Sequence, residues 1–416
     1  MHALQEVFLL LLTMVAVFAV MAQKLRVPYP IVLVLAGLAL SLVPGIPRVE
    51  LKPELVFLTF LPPLLYAAAW QTSWRDFREN LVSIGMLAVG LVAFTVWGVA
   101  AIAHHFIGAL NWKAGFVLGA VTATTDAIAA TAIAKRLGLP RRLVEVLEGE
   151  SLLNDATGLL VLEFGVLMMV TGETPTVGAG LLRFLWLIAG GVGVGLVFGV
   201  VITWVERRLE DAPVEIVLSV LVPYGAYLGG EAIGASGVLS VVVAGLYLGR
   251  RSATFFSPQV RLQIGSVWET LNFILNGIVF LLIGLQLPYV LAGIKGYGAG
   301  TLILYGAVFS AVLILLRLAW ILPGAQVSYF VRTKLLKQVY PRPTWREAVV
   351  VGWTGMRGVV ALAAAVGLPL TLENGQPFVE RNLIVFLTFC VILVTLVGQG
   401  LTLPPLIRSI AGWRSR

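Results

Sequence analysis

The chain has 416 residues, of which 59% are hydrophobic and only 12% charged, and its mean hydropathy is +0.96. A soluble domain carries about 25% charged residues to wet its surface, so this composition excludes an ordinary soluble fold and points to a surface that faces lipid. The lone cysteine, Cys390, excludes a disulfide framework within the chain, and three scattered histidines exclude a zinc centre.

A helix that crosses ~30 Å of hydrocarbon needs roughly 20 mostly apolar residues. That rule predicts thirteen segments, at about 4–22, 29–44, 54–72, 81–107, 114–136, 143–171, 178–205, 213–231, 237–249, 265–288, 298–330, 345–370 and 379–407. The first is read as a retained helix rather than a secretory leader. No Lys or Arg precedes it, whereas Lys24 and Arg26 follow it, a pattern that places the N-terminus outside. No connection is long enough for a soluble domain, so residues 1–416 are expected to form a single membrane domain. With this count, 21 Lys and Arg residues fall in the inner loops and 6 in the outer ones, which puts the C-terminus in the cytoplasm. The same bias explains the formal charge of +8 as topology and contact with anionic lipid, not nucleic-acid binding.

Charge inside the membrane is costly and marks function. Segment five, from Gly119 to Thr131, surrounds Asp126 with Thr, Gly and Ala, including Thr124 and Thr125. Segment six opens with Glu148, Glu150, Ser151, Asn154 and Asp155. On a helix Ser151 and Asp155, four residues apart, share one face, and Glu150 and Asn154 share another. Two carboxylates on adjacent helices, with hydroxyl and backbone oxygens, suit a hard monovalent cation such as Na+, K+ or Li+. His104 and His105 fall at an outer helix end and are read as interfacial.

Segment twelve carries Gly355, Arg357 and Gly358, and segment eleven carries Arg317. Segments five and twelve are seven apart and therefore oppositely oriented. Each has a charge amid small residues, the mark of interrupted helices that meet at a midplane site in inverted repeats. Repeat one is expected over about 4–171, a linker helix over 178–205 and repeat two over 213–407. Glu150 is the expected partner of Arg357, and Arg317 is expected to face the carbonyl ends of broken half-helices.

The runs Thr125-Asp126 and Glu150 to Gly158 resemble the Na+/H+ antiporters of the NhaP and plasma-membrane Na+/H+ exchanger branch of the cation:proton antiporters. The likeness extends to Pro62-Pro63, to Trp268, Glu269 and Asn272, to Gly277 and Gly284, and to Gly355 through Gly358. The resemblance implies a thirteen-helix inverted-repeat fold, a homodimer in the cell membrane and an elevator-like motion of a core carrying the ion. It also implies that Asp155 binds cation and proton in turn, joined by Asp126, the Thr125 backbone and the Ser151 hydroxyl. Glu150 and Arg357 would form a structural ion pair supported by Asn154. Many relatives have Pro where Ala127 stands and an acid where Ala67 stands. Asn154, where electrogenic relatives carry an additional Asp, implies electroneutral exchange of one cation for one proton. Neither a resident cofactor nor enzymatic activity is expected.

Two rival functions start from the same residues. An intramembrane aspartyl protease would use the two aspartates, but Asp126 and Asp155 lack a Gly-x-Gly-Asp setting. A proton-coupled organic-anion transporter would use Arg357 or Arg317, which leaves the acidic pair without a purpose.

Overall fold

The computed structural model describes residues 2–410 apart from 26, 44–55, 107, 109, 173–175, 210, 295 and 374. Residues 54 and 55 of the third segment, residue 107 of the fourth, and the loop charges Arg26, Arg48, Lys52, Lys295, Arg414 and Arg416 lie outside the described residues.

The described chain is helical apart from an isolated bridge between Thr371 and Pro377. Helices α1 (His2–Leu25) and α2 (Tyr29–Ser41) are followed by a π-helical turn, Val56–Phe60, that leads into α3 (Leu61–Gln71). Helix α4 (Trp74–Gly85) continues through the π turn Met86–Leu91 into α5 (Val92–Phe106). Then come α6 (Trp112–Ala123), α7 (Ala127–Arg136), α8 (Arg141–Val170), α9 (Val177–Glu206), α10 (Ala212–Ala232) and α11 (Gly237–Arg251). The remainder is α12 (Pro258–Leu285), α13 (Leu287–Ala292), α14 (Ala299–Phe330), α15 (Trp345–Trp353), α16 (Val359–Val366), α17 (Arg381–Leu393) and α18 (Gly400–Ile410).

Helices occupy each of the thirteen segments read from the sequence. Among the described residues nine spans are long and apolar enough to cross a membrane, and Tyr29–Ser41 and Val56–Gln71 are shorter apolar helices. Segments five and twelve are each split, into α6 and α7 and into α15 and α16. The splits have local causes. Asn111 caps α6 by accepting from the Ala114 amide, and the helix stops where Thr124 turns extended. Asp126 is itself the N-cap of α7, accepting from Ile128 N at 2.8 Å. Thr344 and Glu347 form a capping box at the start of α15, which ends at Thr354.

The chain divides into two compact units, one of Met1–Pro53, Asn80–Glu173 and Gly277–Arg416, the other of Glu54–Glu79 and Thr174–Asn276. Lipid is as apolar as leucine, so membrane helices gain from close backbone approach at small residues rather than from burying apolar surface. The first unit follows that rule. A Cβ at Gly115 or Gly119 of α6 would press on the backbone of Ala100 and Val96 in α5, and one at Gly37 of α2 would collide with the Leu281 carbonyl of α12. In the second unit Gly191 and Gly195 of α9 lie against the Ser236 and Ser240 carbonyls of α11's first turn. Gly245 and Gly249 of α11 lie against the Tyr66 and Trp70 carbonyls of α3. An aromatic cluster completes that core. Tyr66 packs on Trp268 with centroids 5.1 Å apart, and the Trp268 indole donates to Ser219 Oγ at 3.3 Å.

Candidate functional site

The first unit contains every site residue proposed from the sequence. The two breaks cross where the backbone is extended: Asp126 N donates to the Met356 carbonyl at 2.8 Å. Gly358 permits this approach, since a Cβ there would run into the Asp126 carboxylate. Arg357 N donates to Thr395 Oγ1 of α17's π-helical extension at 3.0 Å, which fixes the second break from its other side.

Helix α8 brings the remaining oxygens. Ser151 Oγ donates to the Thr125 carbonyl at 2.7 Å, and Asn154 Nδ2 donates to Thr125 Oγ1. Both bonds pin the first break to α8. Ser151 donates its single proton to Thr125, and a hydroxyl oxygen also has acceptor capacity. Asp155, 7% exposed, lies within electrostatic reach of Asp126. Two carboxylates, the Ser151 hydroxyl and the Thr125 carbonyl are thus gathered at one crossing. Among the described residues no group of three or more His, Cys, Asp or Glu could hold a metal ion. A site with only two acids matches the charge of a monovalent cation better than a divalent cage.

The arginines correct the expected pairing. Glu150, 1% exposed, is held by Arg317, not by Arg357: one guanidinium nitrogen meets Oε1 and Nη2 donates to Oε2 at 2.9 Å. Arg317 Nη2 also donates to the Val351 carbonyl at 3.1 Å, in the last turn of α15. Arg357, 3% exposed, donates instead to the Thr122 carbonyl at the end of α6 and to the Gly355 carbonyl at 2.8 Å. Each broken segment therefore ends its first half-helix on an arginine. The physical reason is common to both. The last carbonyls of a half-helix have no intrahelical donor and carry the negative end of its dipole. Arg357 sits within the unwound stretch beside such carbonyls and is consumed by them. Arg317 projects from a continuous helix and reaches the carboxylate with its full fork. Asn154 supports Thr125 rather than the ion pair, and its Oδ1 is buried with no hydrogen-bond partner.

Tyr29, in the first turn of α2, lies within electrostatic reach of Asp126. Sequence reasoning missed it, because a tyrosine beginning an apolar helix carries no local mark of a distant carboxylate. The histidine pair stacks edge to face with centroids 5.4 Å apart and His105 back-bonds to the Ala101 carbonyl, away from the site residues.

Residues 9–409 match the family model described as sodium/hydrogen exchanger, transmembrane. An uncharacterized Na+/H+ exchanger of Mycobacterium tuberculosis is 37% identical over 408 residues, covering 97% of this chain and 74% of its own length. The Na+/H+ antiporter ApNhaP of Aphanothece halophytica is 35% identical over 389 residues, covering 92% of this chain and 70% of its own. The solved structure of the sodium proton antiporter MjNhaP1 from Methanocaldococcus jannaschii superimposes with a TM-score of 0.74 at 20% identity, covering 97% of this chain and 98% of that one, a likeness of fold.

Proposed function

We propose, from the premise that the chain belongs to the sodium/hydrogen exchanger family, that it is a multi-pass membrane antiporter exchanging Na+ for H+ at Asp155. The observation that carries the assignment is the placement of Asp155 within electrostatic reach of Asp126, where the Ser151 hydroxyl meets the Thr125 carbonyl. A carboxylate cannot hold a proton and a cation at once. Competition for one group therefore couples the two fluxes without any further device.

The arginines count against organic-anion transport, since Arg317 is committed to Glu150 and Arg357 to backbone carbonyls. The site residues all belong to one compact unit, which supports an elevator-like motion in which a single body carries the ion. The matching half-helix, break and half-helix of α6–α7 and α15–α16 support an inverted-repeat origin. A homodimer in the cell membrane, N-terminus outside and C-terminus cytoplasmic, completes the reading. Proteoliposomes with an imposed proton gradient test it. Adding Na+ is expected to dissipate the gradient, with Li+ and K+ as parallel arms that define selectivity. A gradient that survives all three cations refutes the antiporter assignment.

Exchange is expected to be electroneutral. Asp126, Asp155 and Glu150 supply three negative charges and Arg317 and Arg357 two positive ones. One monovalent cation, either H+ or Na+, neutralises the cluster, and Asn154 offers no further proton. A transported net charge would couple the equilibrium to voltage by ~2.3 kcal/mol per charge per 100 mV. An imposed potential at fixed pH and Na+ gradients should leave the equilibrium position of exchange unchanged. A displacement with voltage would replace one-for-one exchange with an electrogenic stoichiometry.

A further inference from the structure

The second compact unit contains a buried acid that the exchange site does not use. Helix α9 ends at Glu206, which is 1% exposed, and both of its carboxylate oxygens are buried with no hydrogen-bond partner. Glu215, in the first turn of α10 and also buried, lies within electrostatic reach of Glu206, as does the buried phenol of Tyr66 on α3. Backbone hydrogen bonds follow one acid and precede the other. Leu209 N donates to the Glu206 carbonyl at 3.1 Å, and Glu215 N to the Asp211 carbonyl at 3.0 Å.

Basic groups on the neighbouring elements are directed elsewhere. On α9's own end Arg207 is exposed, and Arg208 donates to the Trp204 carbonyl at 2.9 Å while lying 3.7 Å from the centroid of its ring. In the last turn of α11, Arg250 lies over Trp74 and Arg251 over Tyr247, 5.7 and 5.0 Å from the ring centroids. Arg261 and Glu269 of α12 are exposed, as is Asp211 before α10. Glu210 lies outside the described residues.

An ionised carboxylate buried without hydrogen bonds or counter-charge is among the costliest arrangements in a protein. A second carboxylate within electrostatic reach, that of Glu215, adds mutual repulsion when both are ionised. A proton held on Glu206 removes both costs, since it neutralises the buried carboxylate and ends the repulsion. We propose that Glu206, with Glu215 as its electrostatic neighbour, is a second proton-binding site, at the end of α9 in the second unit, occupied at neutral pH and emptied in alkali. The folded protein then retains a proton that the unfolded chain, with both acids in water, releases. The stability tied to this proton is fully present below the ordinary glutamate range and is lost progressively as pH rises from there until the folded site empties. Proton loss loosens the turn, giving the protein an alkaline-sensitive element that is not the exchange carboxylate.

The test uses the purified full-length protein in detergent or liposomes, with Glu206→Gln and Glu215→Gln. Infrared difference spectra of wild type against Glu206→Gln at neutral pH should contain the carbonyl band of a protonated carboxyl. The wild-type unfolding midpoint should fall by several degrees from about pH 5 to about pH 9. Glu206→Gln should flatten that fall while retaining Na+-driven proton movement. Glu215→Gln, which removes the repelling neighbour and so lets Glu206 ionise more easily, should move the fall to lower pH, and it remains informative if Glu206→Gln does not fold. Identical infrared spectra, or the same pH dependence in wild type and in the variants, would overturn the proposal. So would a wild-type midpoint in alkali that Na+ restores and Glu206→Gln abolishes, since the pair would then be a cation site.

Discussion

Asp155→Asn is expected to reduce Na+-driven proton movement to the leak of empty liposomes while leaving the protein folded. The amide keeps the volume and much of the hydrogen-bonding capacity of the acid, but it has no proton to exchange and no charge to attract a cation. Folding should tolerate the change, and stability at neutral pH should hold or rise, because one of two buried acids within electrostatic reach is gone. Asp126→Asn should be nearly as damaging to exchange. Its carboxylate also caps α7 through Ile128 N, a bond that an asparagine side-chain oxygen can keep. The loss should therefore appear in transport and not in the unfolding midpoint. Monodisperse Asp155→Asn protein that exchanged Na+ for H+ at the wild-type rate would sink the assignment of the exchange carboxylate.

Much of this site was legible because membrane burial makes polar residues conspicuous. Asp126 amid threonines and alanines, and Ser151 four residues before Asp155, stood out against apolar surroundings, and the structure brings these residues together. The helix breaks were legible for a related reason: Thr124, Thr125 and the glycines of segment twelve are weak helix formers gathered beside a charge. Partner choice between the two arginines was not legible. Spacing along a chain fixes faces on one helix, but not which of two cations on other helices reaches a given carboxylate. The deciding features were a glycine and an unwound stretch. A Cβ at Gly355 would collide with the Arg317 side chain, so that glycine lets Arg317 pass. The break around residue 357 gives Arg357 carbonyls to satisfy. The buried Glu206 escaped notice as well, since it closes an apolar segment next to Arg207 and Arg208, where a charge normally marks a wetted helix end.

Breaking the Glu150–Arg317 pair from one side is expected to be the most destabilising single change in the protein. Each partner is at most 2% exposed, and each removal strands the other charge in a low-dielectric interior, a loss of about 3–5 kcal/mol. Arg317→Met leaves Glu150 unpaired and also removes the donor to the Val351 carbonyl, so it should cost somewhat more than Glu150→Leu. The double variant replaces two charges with apolar side chains, and its loss should fall well short of the sum of the single losses. The same cycle drawn between Glu150 and Arg357 should give a smaller coupling, because Arg357 is held mainly by the Thr122 and Gly355 carbonyls. Thermal unfolding of the four proteins in each cycle, read together with Na+-driven proton movement in those that fold, measures both couplings. Strict additivity for Glu150 with Arg317, or a larger coupling for Glu150 with Arg357, would return the ion pair to the arrangement expected from the sequence. Retained cation dependence in the surviving double variant would place the pair in the framework that positions α8 against α14, outside the set of groups that touch the ion.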